Sequence, residues 1–223
     1  MSFEEYFKDW CKVIDKNELK KSINRIQQLK EEITPSLADA FKAFELCDYD
    51  NTRVIVLGLD PYPQKNVATG VAFANHKDTI KLSPSLEVLK NSMIDEKNKQ
   101  YDVTFDITLE DIAKQGVLFL NTSLTTKLNS TGSHLYIWKD FIATLLTNFG
   151  YYNPNTIYVL LGDQAKSFKR YIKATNYIFE DNHPSYYARI HKDMPSKIWS
   201  DINQILINLN NDYIKWYREY ETI

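Results

Sequence analysis

The chain has 223 residues, 43% of them hydrophobic and 25% charged, with a formal net charge of −2; this composition is that of a globular protein with one sizeable core, and it does not indicate a polyanion partner. Two cysteines are too few for a disulfide framework or a four-thiolate iron–sulfur cluster, which favours a reducing compartment. The N-terminus lacks a secretory signal pattern and no apolar run approaches the roughly 20 residues of a membrane span, so we expect one cytoplasmic domain of residues 1–223.

The first fifty residues are predicted to be helical packing elements. A stripe of apolar residues spaced for one buried helix face consists of Leu19, Ile23, Ile26 and Leu29. Thr34-Pro35-Ser36 predicts the end of this helix, and a second short helix is expected around Phe41. Trp10 is interpreted as a core residue.

A short apolar run from Val54 to Leu57 predicts the first strand, buried on both faces of a parallel sheet. After Gly58, Asp60 lies in a loop that Pro61 and Pro63 stiffen. Ligands of open α/β sheets bind beyond the carboxyl ends of the strands, so Asp60 is a candidate site residue. The alternative, an aspartate that caps the following turn, is equally compatible with this segment.

The segment LSPSL predicts a helix start at Pro84. Exposed amides at a helix start can hold a phosphate, but Ser83 and Ser85 are more often simple helix caps. A polar loop from Asn98 to Asp106 and a short helix from Thr108 to Gln115 are expected next.

A second apolar strand is predicted at Val117 to Leu120 and is followed by Asn121, much as Asp60 follows the first. An amide can read the edge of a base, although a lone asparagine there is more often a turn former. A helix ending near Phe149 and a third strand at Ile157 to Leu161 follow. The next helix is expected to carry four cations on one face, a pattern that is usually only solvated: Lys166, Lys169, Arg170 and Lys173.

A fourth strand is predicted at Tyr177 to Glu180, before His183 in a proline-stiffened turn, and a last helix at Ser196 to about Leu209. A lone histidine is more often structural than catalytic. However, Asp60, Asn121 and His183 each follow a strand, and this shared placement would gather them along one edge of the sheet.

Six segments occur in order along the chain: GLDPYPQKNVATGVAF, LSPSL, GVLFLNTSLTT, GSHLYIW, VLLGDQAK and HPSYYA. Together they resemble the successive motifs of family 1 uracil-DNA glycosylases, over a match from about Glu18 to Leu209. The resemblance implies a three-layer α/β/α fold with a central four-stranded parallel sheet. It also implies hydrolysis of the N-glycosidic bond of deoxyuridine in DNA, with base flipping and without a metal or cofactor.

The resemblance also implies the roles of individual residues. Asp60 would orient or activate water and stabilise positive charge on the sugar, and His183, as neutral imidazole, would donate to uracil O2. Asn121 would pair with the uracil amide edge, Phe73 would stack on the ring, and Tyr62 would exclude a thymine methyl.

Leu59 is also counted among the substrate-binding residues by this resemblance. The expected DNA contacts are Pro63, Ser83, Ser85, Lys169, Arg170, Ser185 and Tyr187, of which Ser85 and Ser185 match phosphate-gripping serines.

Three departures from the family pattern are visible. Leu59 and Pro63 replace polar residues of the family's GQDPYH motif, as in poxvirus glycosylases, and so remove two polar side chains next to Asp60-Pro61-Tyr62. Tyr187 replaces a leucine that wedges into the duplex, and its ring could stack in the vacated space. Lys169-Arg170 replaces a Gly-Ser phosphate loop, so we predict stronger salt dependence.

The alternatives to a uracil-DNA glycosylase are a protein that only binds DNA and a different base-acting enzyme. A non-catalytic or dual-role replication accessory protein is the main alternative, because poxvirus relatives also serve a polymerase, but such a binder has no need of the full catalytic set. Zinc deaminases need a Pro-Cys-x-x-Cys pair, which is missing.

We expect a monomer acting on uracil-containing DNA, in the cytoplasm or, for a viral protein, the host cytoplasm or nucleus. A uracil-glycosylase inhibitor protein and replication proteins are further candidate partners.

Overall fold

The computed structural model describes residues 2–94 and 103–219. Its α-helices are α1 (Phe3–Phe7), α2 (Lys16–Leu29), α3 (Lys42–Leu46), α4 (Pro84–Met93), α5 (Glu110–Ala113), α6 (Leu135–Tyr152), α7 (Asp163–Lys166), α8 (Pro184–Ile190) and α9 (Lys197–Asn208). Its strands are β1 (Ile33–Thr34), β2 (Val54–Gly58), β3 (Val103–Thr104), β4 (Val117–Asn121), β5 (Thr126–Lys127), β6 (Ile157–Leu161), β7 (Tyr177–Asp181) and β8 (Arg218–Glu219). Short 3₁₀ helices cover Lys8–Lys12, Tyr49–Asn51 and Lys169–Tyr171.

The centre of the molecule is a four-stranded sheet in the order β4-β2-β6-β7, and every neighbouring pair is parallel. All five residues of β2, β4 and β6 are buried, which explains why these segments are apolar without polar alternation. The four predicted strands are therefore confirmed. Asn121 is the last residue of β4 rather than the residue after it, and it pairs in register with Gly58.

Alternate residues of each strand face two different helical layers. Ile55 and Leu57 belong to a core cluster with Trp138 of α6, and this cluster also contains Trp10 and the buried side of α2. Val54 and Val56 belong to a second cluster with residues of α4 and α9. The sheet thus lies between two layers of helices, which confirms the three-layer α/β/α prediction and the core position of Trp10.

Two predicted helix boundaries differ from the structure. Helix α2 ends at Leu29, before the Thr34-Pro35-Ser36 break, because Lys30 adopts a left-handed φ of 51°. The chain then pairs Ile33 with Lys127 in the small antiparallel β1–β5 sheet. The helix expected from Thr108 to Gln115 is shorter and covers Glu110–Ala113.

The prediction of one basic helix after β6 is wrong. Helix α7 ends at Lys166, and the chain continues through i→i+3 hydrogen bonds such as that from Tyr171 N to Phe168 O, at 2.9 Å. With about three residues per turn, the i, i+4 spacing no longer places side chains on one face. Lys169 instead pairs with Glu180, at 2.6 Å. The four cations therefore do not form a single stripe.

The other elements follow the sequence closely. Helix α9 matches the predicted last helix, and α6 continues three residues beyond Phe149. Of the predicted polar loop, residues 98–102 lie outside the described residues, whereas Val103–Thr104 pairs with Arg218–Glu219. Over residues 2–94 and 103–219, the structure contains no helix that is both long and apolar enough to span a membrane.

Candidate active site

A cavity of about 170 Å³ lies where the carboxyl ends of the central strands meet. Nine of the predicted site residues line it: Leu59, Asp60, Tyr62, Pro63, Phe73, Ser85, Asn121, His183 and Ser185. The remaining four lie outside its lining: Ser83, Lys169, Arg170 and Tyr187. The structure thus brings an acid, an amide and an imidazole from three different strand ends into one cavity.

The loop that carries Asp60 is fixed to the end of β4. Thr122 N donates to Gly58 O at 3.0 Å, and Ser123 N donates to Leu59 O at 3.1 Å. The Thr122 hydroxyl also donates to Leu59 O, at 2.6 Å. These bonds extend the β2–β4 pairing past the strand ends, so Asp60 and Asn121 are held in a fixed position relative to one another.

Asp60 is a partly buried carboxylate with a backbone partner. Its Oδ2 accepts a hydrogen bond from Gly132 N at 2.6 Å. Burial raises the pKa of Asp60 above its usual value, while the hydrogen bonds from Gly132 and Thr126 act in the opposite direction. The side chain is therefore desolvated but keeps one strong donor that favours its ionised form. This bond does not cap the turn that follows Asp60, because its donor lies 72 residues away in the chain.

His183 precedes α8 and is held as its cap. Its Nδ1 accepts from Ser185 N at 3.2 Å and lies 2.8 Å from the Ser185 hydroxyl. Because Nδ1 is the acceptor, the proton of the neutral ring is on Nε2. Burial, with a smaller contribution from Arg189, lowers the pKa of His183 to about 4. The ring is thus a neutral donor at neutral pH.

Phe73 and Asn121 lie on either side of a position that must be glycine. A β-carbon on Gly58 would stand 2.6 Å from Asn121 Oδ1 and 2.8 Å from Phe73 Cζ. Phe73 has a φ of 68°, and its carbonyl accepts from the Tyr62 hydroxyl at 2.9 Å. The Phe73 and His183 rings are 5.6 Å apart between centroids. Burial raises the pKa of Tyr62 to about 12, so this hydroxyl keeps its proton.

Ser83 occupies the N-cap position of α4, but its hydroxyl does not cap the helix. The hydroxyl accepts from Asn75 Nδ2 at 2.7 Å, and Ser83 N donates to Asn75 Oδ1 at 2.8 Å. This double contact closes the loop between Asn75 and Ser83. Ser85 lies two residues further on and is buried in the cavity lining.

The predicted DNA contacts outside the cavity already have partners within the protein. The Tyr187 hydroxyl donates to Asp181 Oδ1 at 2.6 Å, which ties the ring to the end of β7. Lys169 pairs with Glu180, and the Arg170 guanidinium lies 5.3 Å from the centre of the Tyr171 ring.

Sequence reasoning missed three glycines that shape the site. Gly58 makes room for the amide and the aromatic ring, and Gly132 supplies the amide proton to Asp60. Gly162 follows β6 with a φ of 92°, and a β-carbon there would lie 2.9 Å from His183 Cβ. Each glycine occurs in a recognised segment, but no sequence pattern tells which distant side chain approaches it.

The chain is similar to known proteins over most of its length. Residues 44–207 match the model of the uracil DNA glycosylase superfamily. The curated uracil-DNA glycosylase of Mycoplasmopsis pulmonis is 33% identical over 216 residues, covering 96% of this chain and 91% of that protein. That of Fusobacterium nucleatum is 30% identical over 223 residues, covering 96% and 97%.

Solved structures show the same fold. Mimivirus uracil-DNA glycosylase superposes with a TM-score of 0.74 at 20% identity, over 97% of this chain and 93% of that one. The Nitratifractor salsuginis UNG structure gives 0.61 at 19% identity, over 90% of each chain. Given the match across most of its length and the two relatives at 30% identity or above, the chain belongs to the uracil DNA glycosylase superfamily.

Proposed function

We propose that the cavity carries out the uracil-DNA glycosylase activity of this chain through Asp60, Asn121, Phe73 and His183. The observation that supports these assignments is the meeting of all four side chains in one cavity at the carboxyl edge of the sheet. The reaction breaks the N-glycosidic bond of deoxyuridine in DNA, releasing uracil and leaving an abasic site.

Recognition takes place on a base that has left the duplex, since a base stacked inside the duplex cannot reach the cavity. Asn121 presents a donor and an acceptor to the amide edge of uracil, and cytosine has the reverse pattern. Phe73 stacks on the ring, and Tyr62 occupies the space that a thymine methyl needs. The bond from the Tyr62 hydroxyl to Phe73 O supports this division of roles, because it fixes the Tyr62 ring against the backbone of Phe73.

Cleavage sends the bonding electrons to uracil and leaves positive charge on the sugar. The Asp60 carboxylate stabilises that charge and orients the water that attacks C1′. His183 donates from Nε2 to uracil O2 as negative charge develops there. The bond from Ser185 N to His183 Nδ1 supports this role, because it leaves the proton on the other ring nitrogen.

The finer family assignment is to family 1, with a first motif similar to that of the poxvirus branch at Leu59 and Pro63. Both residues lie in the cavity lining, where they present apolar surface. We therefore assign water orientation mainly to Asp60. Ser85 and Ser185 are proposed to grip phosphates at the cavity rim, and Ser83, Lys169, Arg170 and Tyr187 to contact DNA further out.

Residues 1–223 are proposed to form one domain, a view supported by the two core clusters on the faces of one sheet. We also propose that the protein acts as a monomer. Free thiols at Cys11 and Cys47 support a reducing, cytoplasmic location. A mimivirus UNG variant has been crystallised with the inhibitor UGI. A protein of that type is a candidate inhibitor of this enzyme.

The test is uracil release from single- and double-stranded oligonucleotides that carry U, T or C opposite G. The parent should release only uracil, and Asp60→Asn and His183→Ala should each lower the rate by about a hundredfold or more. Binding to the abasic product should persist in Asp60→Asn, which leaves the His183 cap of α8 in place. A parent that binds DNA but frees no uracil from either substrate would favour the replication accessory role.

A further inference from the structure

Two loops meet at the acid of the cavity. The loop after β2 contains Asp60 and Pro63, and the loop of residues 128–133 lies across from it. Asn129 N donates to Pro63 O at 2.8 Å, and Gly132 N donates to Asp60 Oδ2 at 2.6 Å. The position of residues 128–133 therefore determines whether the acid has its amide donor.

The loop of residues 128–133 leads directly into His134, a buried side chain with only 1% of its surface exposed. Its Nδ1 lies 3.0 Å from the Thr125 hydroxyl, which also accepts from Trp138 Nε1 at 2.8 Å. An indole N–H only donates, so the Thr125 hydroxyl accepts it and has its own hydrogen for Nδ1. The Nε2 of His134 then carries the proton.

The partner of that Nε2 is Glu31, whose Oε1 lies 2.8 Å away although the two residues are 103 positions apart. Glu31 Oε2 also contacts Lys127 Nζ, at 3.0 Å. The backbone around Glu31 is fixed as well, because Leu128 N donates to Glu32 O and Ile33 pairs with Lys127. A carboxylate outside the cavity is thus connected to the loop that faces Asp60.

We propose that Glu31, acting through His134, is a positioning residue that holds the Gly132 N–H on Asp60. The inference rests on the proposed role of Asp60 and adds a residue that does not line the cavity. Glu31 keeps the His134 ring in place, and His134 fixes the end of the loop two residues from Gly132. Gly132 N then donates its hydrogen bond to the Asp60 carboxylate. Catalysis then depends on Glu31 through geometry, because a misplacement of about 1 Å at a reacting group costs about a hundredfold in rate.

The charge of Glu31 allows a test that separates positioning from simple electrostatics. Removing a nearby negative charge lowers the pKa of a carboxyl group, whereas removing a hydrogen-bond donor to the carboxylate raises it. Glu31→Ala removes the charge and releases the loop, so positioning predicts a rise in the Asp60 pKa. Glu31→Gln removes the charge but keeps an acceptor for His134 Nε2. His134 and His183, the two imidazoles of this part of the structure, are unchanged in both variants.

The experiment measures the Asp60 carboxyl titration by ¹³C NMR, together with kcat and KM for a single-uracil oligonucleotide. In Glu31→Ala we expect a higher Asp60 pKa, kcat lower by about tenfold and KM within about twofold of the parent. Glu31→Gln should restore at least half of kcat without the rise in pKa. Lys127→Ala is the matched control, because it removes the other partner of Glu31, and it should behave as the parent.

An unchanged or lower Asp60 pKa in Glu31→Ala would overturn the inference, as would a parent-like kcat or a loss confined to KM. The NMR titration needs no turnover, so it decides the positioning even if the parent were to release no uracil. That latter outcome would defeat the proposed function alone.

Discussion

Gly58 and Asn121 end neighbouring strands in register, and a β-carbon on Gly58 would lie 2.6 Å from the Asn121 side-chain oxygen. Gly58→Ala should therefore displace the amide and the Phe73 ring while the sheet remains folded. We expect kcat/KM for uracil release to fall by about a hundredfold, since a shift of about 1 Å has that effect. The measurement is steady-state kinetics with thermal melting of the same sample.

Gly150→Ala is the control for overpacking. A β-carbon there would also be tight, at 3.1 Å from both Tyr158 Oη and Asn176 Nδ2, but Gly150 belongs to α6 and does not line the cavity. Overpacking typically costs about 1–3 kcal/mol. Both variants should lose stability, whereas only Gly58→Ala should lose activity. Equal activity of the two variants would contradict the assigned role of Gly58.

Asp60→Asn should stabilise the protein at neutral pH while lowering its activity. Burial raises the pKa of Asp60, so the folded state binds the proton more tightly than the unfolded state does. This favourable contribution is present at low pH and is lost as pH rises through the folded-state pKa. At pH 7 the ionised buried carboxylate is therefore destabilising, and the neutral amide is not.

The check is the free energy of unfolding of parent and Asp60→Asn by urea at pH 7 and at pH 3. The variant should be the more stable at pH 7, and the difference should shrink at pH 3, where both side chains are neutral. A variant that is less stable than the parent at pH 7 would show that the Gly132 bond outweighs desolvation.

His183 should make stability fall on the acid side of neutrality. Its pKa is about 4 in the folded protein and about 6.5 in the unfolded chain, so only the unfolded chain binds this proton between these values. Stability from the neutral ring is complete above pH 6.5 and decreases as pH falls towards 4, by about 3 kcal/mol in total. The loss of unfolding free energy between pH 7 and pH 4.5 should be smaller in His183→Gln. An equal loss in both proteins would contradict the low pKa.

Arg170 and Lys169 should contribute unequally to the salt dependence of DNA binding. Each phosphate contact adds about 0.9 to the slope of log K against log salt on duplex DNA. Arg170→Ala should lower the slope by about that amount, whereas Lys169→Ala should lower it less, because Lys169 must first leave Glu180. Binding of abasic duplex at several salt concentrations measures both slopes. Lys20→Ala, on the exposed face of α2, is the control and should keep the slope of the parent. If Arg170→Ala and Lys169→Ala also kept that slope, Arg170 and Lys169 would not contact DNA phosphates.

Tyr187 should matter for duplex substrates more than for single strands. Its hydroxyl bond to Asp181 holds the ring in one orientation, ready to stack in the space that a flipped base leaves. Tyr187→Ala should lower kcat/KM on duplex by about fivefold to a hundredfold, the range that stacking of about 1–3 kcal/mol implies. Tyr213→Ala, an exposed tyrosine in the segment after α9, is the control. Equal losses on single-stranded and duplex uracil substrates would rule out this role.

Sequence reasoning predicted the central sheet because β2, β4 and β6 are buried along their whole length and so carry uninterrupted apolar runs. It also predicted that Asp60, Asn121 and His183 converge, since strand ends in a parallel sheet share one edge. These features depend on local patterns and on a general property of the fold.

The contacts that refine the site were not predictable in this way. The bond from Gly132 to Asp60 joins residues 72 positions apart, and the glycine that Asn121 needs is on a neighbouring strand. The basic helix is a wrong prediction for a related reason: the cation spacing fits an α-helix, but the chain forms a tighter 3₁₀ turn between buried Phe168 and buried Ile172. Tertiary packing decided both cases.

The hydrogen bond from Ser185 N to His183 Nδ1 gives one imidazole two tasks, since the ring that faces the cavity also begins helix α8. His183→Ala removes the hydrogen-bond donor to uracil O2. It also removes the cap of the first turn of α8, the helix that carries Ser185 and Tyr187. A lower rate of uracil release in His183→Ala would therefore combine the loss of the catalytic donor with weaker DNA binding. His183→Asn, which retains a side-chain acceptor suited to a helix start, would isolate the chemical contribution.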